Sequence, residues 1–304
     1  MDSLPTLFSD SVKACLPDDS LTFLNDLGDE NWTTDLEEQK QRECTLSIMY
    51  SEIENKWYVR FSTNSYFNTL PFETVLKNSK KMRITHLTFF HNSDFTENTM
   101  FFPLYQEVPL QTIGSVFVPF IQSNLVSNPK QLSIYPGSRS PQINFGGRIF
   151  RELELPYDGP ESLEVIKRHV ESDRLKTLEV RGEWPKEVET YLAESLRTAP
   201  DTFHLRSETM KLSKKVVLAM VDRFLDEESQ VDVISLYGVT DLTEADFEDV
   251  EEDLQEEYIG IAWSTGWRML WMEFDDGYVQ AHLVKLNPGR GDESEYEDDE
   301  EDEY

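Results

Sequence analysis

Residues 151–181 read RELELPYDGPESLEVIKRHVESDRLKTLEVR, and this stretch decides the fold. It opens on Leu153-Glu154-Leu155, breaks at a polar stretch around Pro156 and Gly159, and closes on Leu178-Glu179-Val180. Between them Leu163, Ile166 and Val170 recur at helical spacing over 160–172. Alternation with period two marks a strand, and a spacing of three to four marks an amphipathic helix. Pro160 suits the first helical turn, where a missing N–H costs nothing.

The triplet returns. Phe203-His204-Leu205 follows, so three copies stand 25 residues apart. Ile234-Ser235-Leu236 continues the pattern after 31 residues, and Leu132-Ser133-Ile134 precedes it by 21. Helices are expected between copies, over 185–197 (Val188, Tyr191, Leu192, Leu196) and 212–226 (Val216, Val217, Met220, Val221, Phe224). Pro185 is expected in a first turn and Ser213 at an N-cap.

A strand, a crossover helix and a further strand form a βα unit with parallel strands, because antiparallel neighbours need no crossover this long. Right-handed crossovers make repeated units grow in one direction. The expected fold class is therefore α/β, an open, leucine-rich-repeat-like βα solenoid over 80–243. A compact doubly wound sheet is the alternative. One fully buried apolar side chain contributes roughly 1.5–3 kcal/mol. Each repeat has about six, so loss of one unit should unfold its neighbours.

Outward from the repeats, 46–50 and 57–61 alternate around a polar turn, which predicts a β-hairpin within a connector at 45–79. A short helix at 72–77 leads to a strand at 83–89. On the other side, 267–274 and 278–286 flank Asp275-Asp276-Gly277, a hairpin turn. That hairpin is expected to cap the sheet, within a segment at 244–289. Phe247, Val250 and Leu254 in the acidic part of that segment predict a partly helical stretch. Residues 290–304 lack aliphatic side chains and are expected to be disordered.

The 304 residues carry 28 Lys+Arg against 59 Asp+Glu, a formal net charge of −31. Residues 244–257 hold 9 acids and 292–304 hold 10, with no basic residue in either. The body is thus only moderately acidic. The longest basic cluster, at 77–83, has four charges. Phosphate tracking needs clustered Lys and Arg, so no nucleic-acid partner and no anionic membrane are expected. A basic protein partner remains open. No run approaches 18 apolar residues and the first residues lack a secretory pattern. With only Cys15 and Cys44, a reducing cytoplasmic or nuclear location is expected, with both thiols free.

No phosphate loop, dinucleotide fingerprint, nucleophile elbow or zinc-protease motif occurs. The five histidines, His86, His91, His169, His204 and His282, show no metal spacing with cysteine. His86 and His204 are expected half-exposed on strands, and His169 solvated on a polar helix face. The expectation is no enzyme, no catalytic or metal residue and no cofactor. An unrecognised enzyme would need a pocket with convergent polar groups.

Residues 1–44 read as three short amphipathic helices. Leu4-Pro5 is followed by Val12, then Leu16-Pro17, Ser20-Leu21, and Trp32 eleven residues after Leu21. This order resembles an F-box. The hairpin and βα repeats that follow resemble F-box proteins with leucine-rich-like substrate domains, particularly the expanded nematode families. The resemblance implies that Leu4, Pro5, Val12, Leu16, Leu21 and Trp32 dock on a Skp-type adaptor of a cullin–RING (SCF-type) ubiquitin ligase. The repeats would then hold a target protein. The alternative from the residues alone is that these helices cap the first repeat. A second alternative for function is an acidic leucine-rich module that binds a basic partner, such as histones, with no ligase role.

Overall fold

The computed structural model describes residues 43–52, 54–63, 69–91, 104–138, 145, 147–199, 202–226, 232–247, 261–265 and 267–286. The six F-box-like positions, Leu4, Pro5, Val12, Leu16, Leu21 and Trp32, lie outside them, as do Cys15, Val250, Leu254 and the acidic tail.

The strands are β1 (Glu43–Ser51), β2 (Lys56–Thr63), β3 (Thr69–Leu70), β4 (Arg83–His91), β5 (Gln106–Val108), β6 (Gln131–Ile134), β7 (Glu152–Pro156), β8 (Thr177–Arg181), β9 (Thr202–Ser207), β10 (Val233–Val239), β11 (Ile261–Thr265), β12 (Arg268–Asp275) and β13 (Tyr278–Lys285). All 13 join one open, mixed sheet in the order β11-β12-β13-β10-β9-β8-β7-β6-β4-β1-β2-β3, with β5 also on β2. From β1 through β4, β6, β7, β8 and β9 to β10, every neighbouring pair is parallel. A doubly wound sheet reverses its direction of growth at a switch point. Here the seven parallel strands add in one direction without reversal. Antiparallel hairpins close both ends, β1–β2 at one and β10–β13–β12 at the other. The capping unit gains a third strand, β11, that the sequence pattern did not mark.

The helices are α1 (Phe72–Lys77), α2 (110–124), α3 (Pro160–Val170), α4 (Val188–Thr198) and α5 (Lys214–Leu225). α2 widens to a π turn at Ile113–Phe117, just ahead of Pro119. Proline has no N–H to donate, and its ring crowds the carbonyl four residues back, so a regular α turn is disfavoured there.

One apolar row crosses the sheet: Phe61, Leu46, Leu87, Leu132, Leu153, Leu178, Leu205, Leu236, Ala281, Met272 and Ile261 are successive cross-strand partners. All are buried. They share one core with Val75 of α1, Phe117 and Ile121 of α2, Ile166 of α3, Leu192 of α4 and Met220 of α5. Among the described residues, the helices therefore cover one face. Strands that grow one way through right-handed crossovers put their helices on the same side.

Three arginines tie successive layers together, each reaching carbonyls near the end of the preceding helix. Arg148 donates to the Gln122 carbonyl near the end of α2 (3.4 Å). Arg223 donates to the Arg197 and Ala199 carbonyls at the end of α4 (2.6 and 2.9 Å). Arg268 donates to the Arg223 and Asp226 carbonyls at the end of α5 (3.4 and 2.6 Å). A helix C-terminus carries unpaired carbonyls and partial negative charge, so a guanidinium there is favourable.

Two local expectations are corrected, and a third holds in position. His169 is buried, 2% exposed, rather than solvated. Its Nε2 accepts the Phe150 backbone N–H (3.1 Å) and its Nδ1 pairs with the Val165 carbonyl (2.7 Å). Two backbone partners compensate for its loss of water, and burial lowers its pKa. Pro185 precedes α4 in a turn, closed by Val188 N–H donating to the Pro185 carbonyl (3.0 Å). Ser213 does occupy the N-cap of α5, yet its hydroxyl donates to Glu189 (2.8 Å) instead of capping. Cys44 is a free, buried thiol whose pKa is pushed up to about 12, chiefly by burial.

Gly238 of β10 marks a close approach. A Cβ there would lie 2.5 Å from Leu212 Cδ1 and 2.8 Å from the Ser207 carbonyl oxygen. The backbone oxygen has no rotamer by which to retreat. Gly238→Val is expected to destabilise by about 1–3 kcal/mol, the usual range for overpacking. Chemical denaturation checks this, and an unchanged midpoint would contradict it.

Candidate functional site

The sheet face away from the helices carries the residues that alternate with the apolar row. From β6 to β12, one row reads Ser133, Glu154, Glu179, Arg206, Tyr237, Gln280 and Glu273. A second row from β8 to β12 reads Thr177, His204, Ser235, His282 and Trp271. The middle residue of each apolar-x-apolar triplet thus lands on this face.

These side chains interlock. Arg181 bridges Glu154 (2.7 Å) and Glu179 (2.8 Å), and its guanidinium lies 4.8 Å from the centre of the Tyr135 ring. Burial raises the Glu154 pKa, and the Glu179 charge raises it further. His204 pairs with the Ser235 hydroxyl (2.6 Å), and His282 stacks on Trp271 at 5.5 Å. The His282 pKa is lowered, first by burial and then by His204. Arg206 pairs with Glu208 (2.6 Å) and lies over Tyr237, which in turn stacks on Tyr278.

The face changes along its length. Near β1 and β2 it is covered: Ser47, Met49 and Arg60 are all buried, with Arg60 against the Tyr105 ring. Around β9, β10 and β13, His204, Arg206, Tyr237, Tyr278 and Gln280 are exposed. The accessible surface is thus the end nearer the C-terminal cap, where aromatic and charged groups alternate.

Glu154 provides a pH test. A carboxyl whose folded pKa lies above its unfolded value binds its proton more tightly in the native state. Its favourable contribution is present at low pH and is lost as pH rises through the folded pKa. The stability of Glu154→Gln relative to wild type is therefore expected to rise as pH climbs above the ordinary carboxylate range. Paired thermal melts check this. A constant or shrinking difference would contradict it.

Among the described residues, no cluster of three or more His, Cys, Asp or Glu is placed to hold a metal ion, and no helix is long and apolar enough to cross a membrane. The six residues expected to bind an adaptor lie outside the described chain. Sequence reasoning did not single out Arg206, Tyr237, Trp271 or Tyr278. Their strands were legible, and the alternation placed them opposite the apolar row. The choice of face needed the positions of the helices.

No protein-family model, curated protein or solved structure matches this chain. What the fold and its face define is a class by architecture: an α/β protein with an open mixed sheet, covered by helices on one side and presenting polar and aromatic side chains on the other.

Proposed function

We propose that the chain is a non-enzymatic protein-interaction scaffold, built as a leucine-rich-repeat-like βα solenoid, that holds a target protein on its helix-free face. The observation that carries this reading is the exposed run of aromatic and charged side chains from Arg206 through Tyr237 to Tyr278. Tyr, Trp and Arg are the residues that dominate binding energy at protein interfaces. The one-way growth of parallel strands and the single helical layer support the solenoid part of the reading. Solenoids present extended surfaces to partners.

Within this reading, the F-box-like segment docks on a Skp-type adaptor of a cullin–RING ligase through Leu4, Pro5, Val12, Leu16, Leu21 and Trp32. Ubiquitin transfer would then follow from raised effective concentration at another subunit's active site, in the cytoplasm or nucleus. The chain itself needs no cofactor or catalytic residue for that role. The test is direct binding of purified chain to purified adaptor. Micromolar binding that Leu4→Ala/Pro5→Ala abolishes is expected. No binding by the unmutated chain would end the ligase reading.

The second reading, a module for a basic protein without ligase function, draws support from the net charge of −31 and the exposed carboxylates beside Tyr278. It expects partner binding that weakens steeply with salt. Salt-insensitive binding would count against it.

A further inference from the structure

The exposed end of the helix-free face finishes in a stack of three groups. The Arg206 guanidinium lies 5.5 Å from the centre of the Tyr237 ring. The Tyr237 and Tyr278 rings lie 5.7 Å apart, with planes only 20° from parallel. Tyr237 is 36% exposed and Tyr278 40%, high values for aromatic side chains on a sheet.

The surroundings of Tyr278 are acidic. Asp275 is its cross-strand partner, and Asp276 follows in the turn. Both carboxylates are exposed, and neither makes an ion pair among the described residues. The guanidiniums on this part of the face are already engaged, Arg206 by Glu208 and Arg181 by Glu154 and Glu179. An anionic ligand would meet carboxylates here, beside guanidiniums that are already engaged. A cation would gain attraction from both aspartates and from the ring quadrupole.

Resting on the reading of this face as the recognition surface, we propose that Tyr278, backed by Tyr237 and flanked by Asp275 and Asp276, receives a Lys or Arg side chain from an extended basic segment of the partner. The rest of that segment lies along β13 and β12, past Gln280 and Glu273, towards Trp271 and His282. Arg206 packs on the inner ring, and the outer ring is the more exposed of the two. The ligand class is thus a positively charged protein segment.

The experiment measures fluorescence polarisation of the full chain with a labelled peptide that alternates Gly and Lys, against a counterpart that alternates Gly and Glu. The Lys peptide should bind and the Glu peptide should not. Tyr278→Ala should weaken the Lys peptide by about tenfold, within the range of a cation–π contact. Asp275→Asn/Asp276→Asn should weaken it at least as much; asparagine keeps the left-handed backbone at position 276, where φ is 46°. Deleting 290–304 should leave most of the affinity. Matching circular-dichroism melts keep the variants comparable.

Equal affinity of wild type and both face variants would overturn the proposal, as would loss of binding on deleting the tail alone. Competition separates this failure from failure of the underlying reading. If the native partner is lost with Tyr237→Ala/Tyr278→Ala yet the Lys peptide does not displace it, the face stands and its assigned ligand class falls. If the native partner is indifferent to those substitutions, the face itself falls.

Discussion

Leu205→Ala is expected to lower the stability of the folded chain by about 2–5 kcal/mol, the range for truncating a buried leucine. Leu205 is 1% exposed and stands between Leu178 and Leu236 in the apolar row. Its cavity would open against strands on both sides and under the helical layer, so local collapse has little room. A typical domain has only about 5–15 kcal/mol of total stability, so the loss should be visible as a large shift in the unfolding midpoint. Because each βα unit rests on its neighbours, protection of backbone amides should fall in β8 and β10 as well as in β9. Urea denaturation with hydrogen exchange measures both. A change below about 1 kcal/mol, well under the usual cost, would mean that Leu205 is not the packed centre described.

Arg268→Ala is expected to be comparably damaging. Arg268 is 1% exposed and is among the largest fully buried side chains. Its guanidinium is sandwiched, 3.8 Å from the Trp267 ring centre and 5.8 Å from that of Phe224. It donates to the Arg223 and Asp226 carbonyls, which fastens the cap strand β12 to the end of α5. Truncation leaves a cavity and buried carbonyls without a donor, at about 1–3 kcal/mol for each unsatisfied group. A loss of about 3 kcal/mol or more is expected, read by chemical denaturation. Arg268→Lys should recover only part, because an ammonium lacks the planar fork that stacks and reaches two carbonyls. Full rescue by lysine would show that charge alone matters there.

The two predictions also mark what the sequence could and could not reveal. Leu205 was legible because a strand with one buried face repeats every second residue, and its triplet recurs at 25 residues. The turn at Asp275-Asp276-Gly277 was legible for a similar local reason. Its observed φ values, 46° at Asp276 and 80° at Gly277, are the left-handed ones that Asp and Gly tolerate. Arg268 was not legible. Its partners lie 42 and 45 residues away in sequence, and no spacing rule points to them. His169 misled for the same reason: its helical position looked polar, and the Phe150 N–H that holds it comes from another segment. Between 104 and 124, a three-residue strand and a helix with a π turn ahead of Pro119 carry too little periodicity to read. Half of the candidate site was in plain view, as the middle residues Glu154, Glu179, His204 and Ser235 of the triplets. The aromatic half, Tyr237, Tyr278 and Trp271, acquired meaning only when strand order brought β10, β13 and β12 side by side.

If the helix-free face recognises a partner protein, as proposed, Tyr237 and Tyr278 should carry much of the binding. Quantitative affinity purification of the full chain against Tyr237→Ala/Tyr278→Ala, at matched thermal stability, tests it most directly. Proteins retained by wild type should fall at least about tenfold in the variant, as expected for loss of interface hot-spot tyrosines. Recovery of the same proteins in the same amounts from both would contradict it.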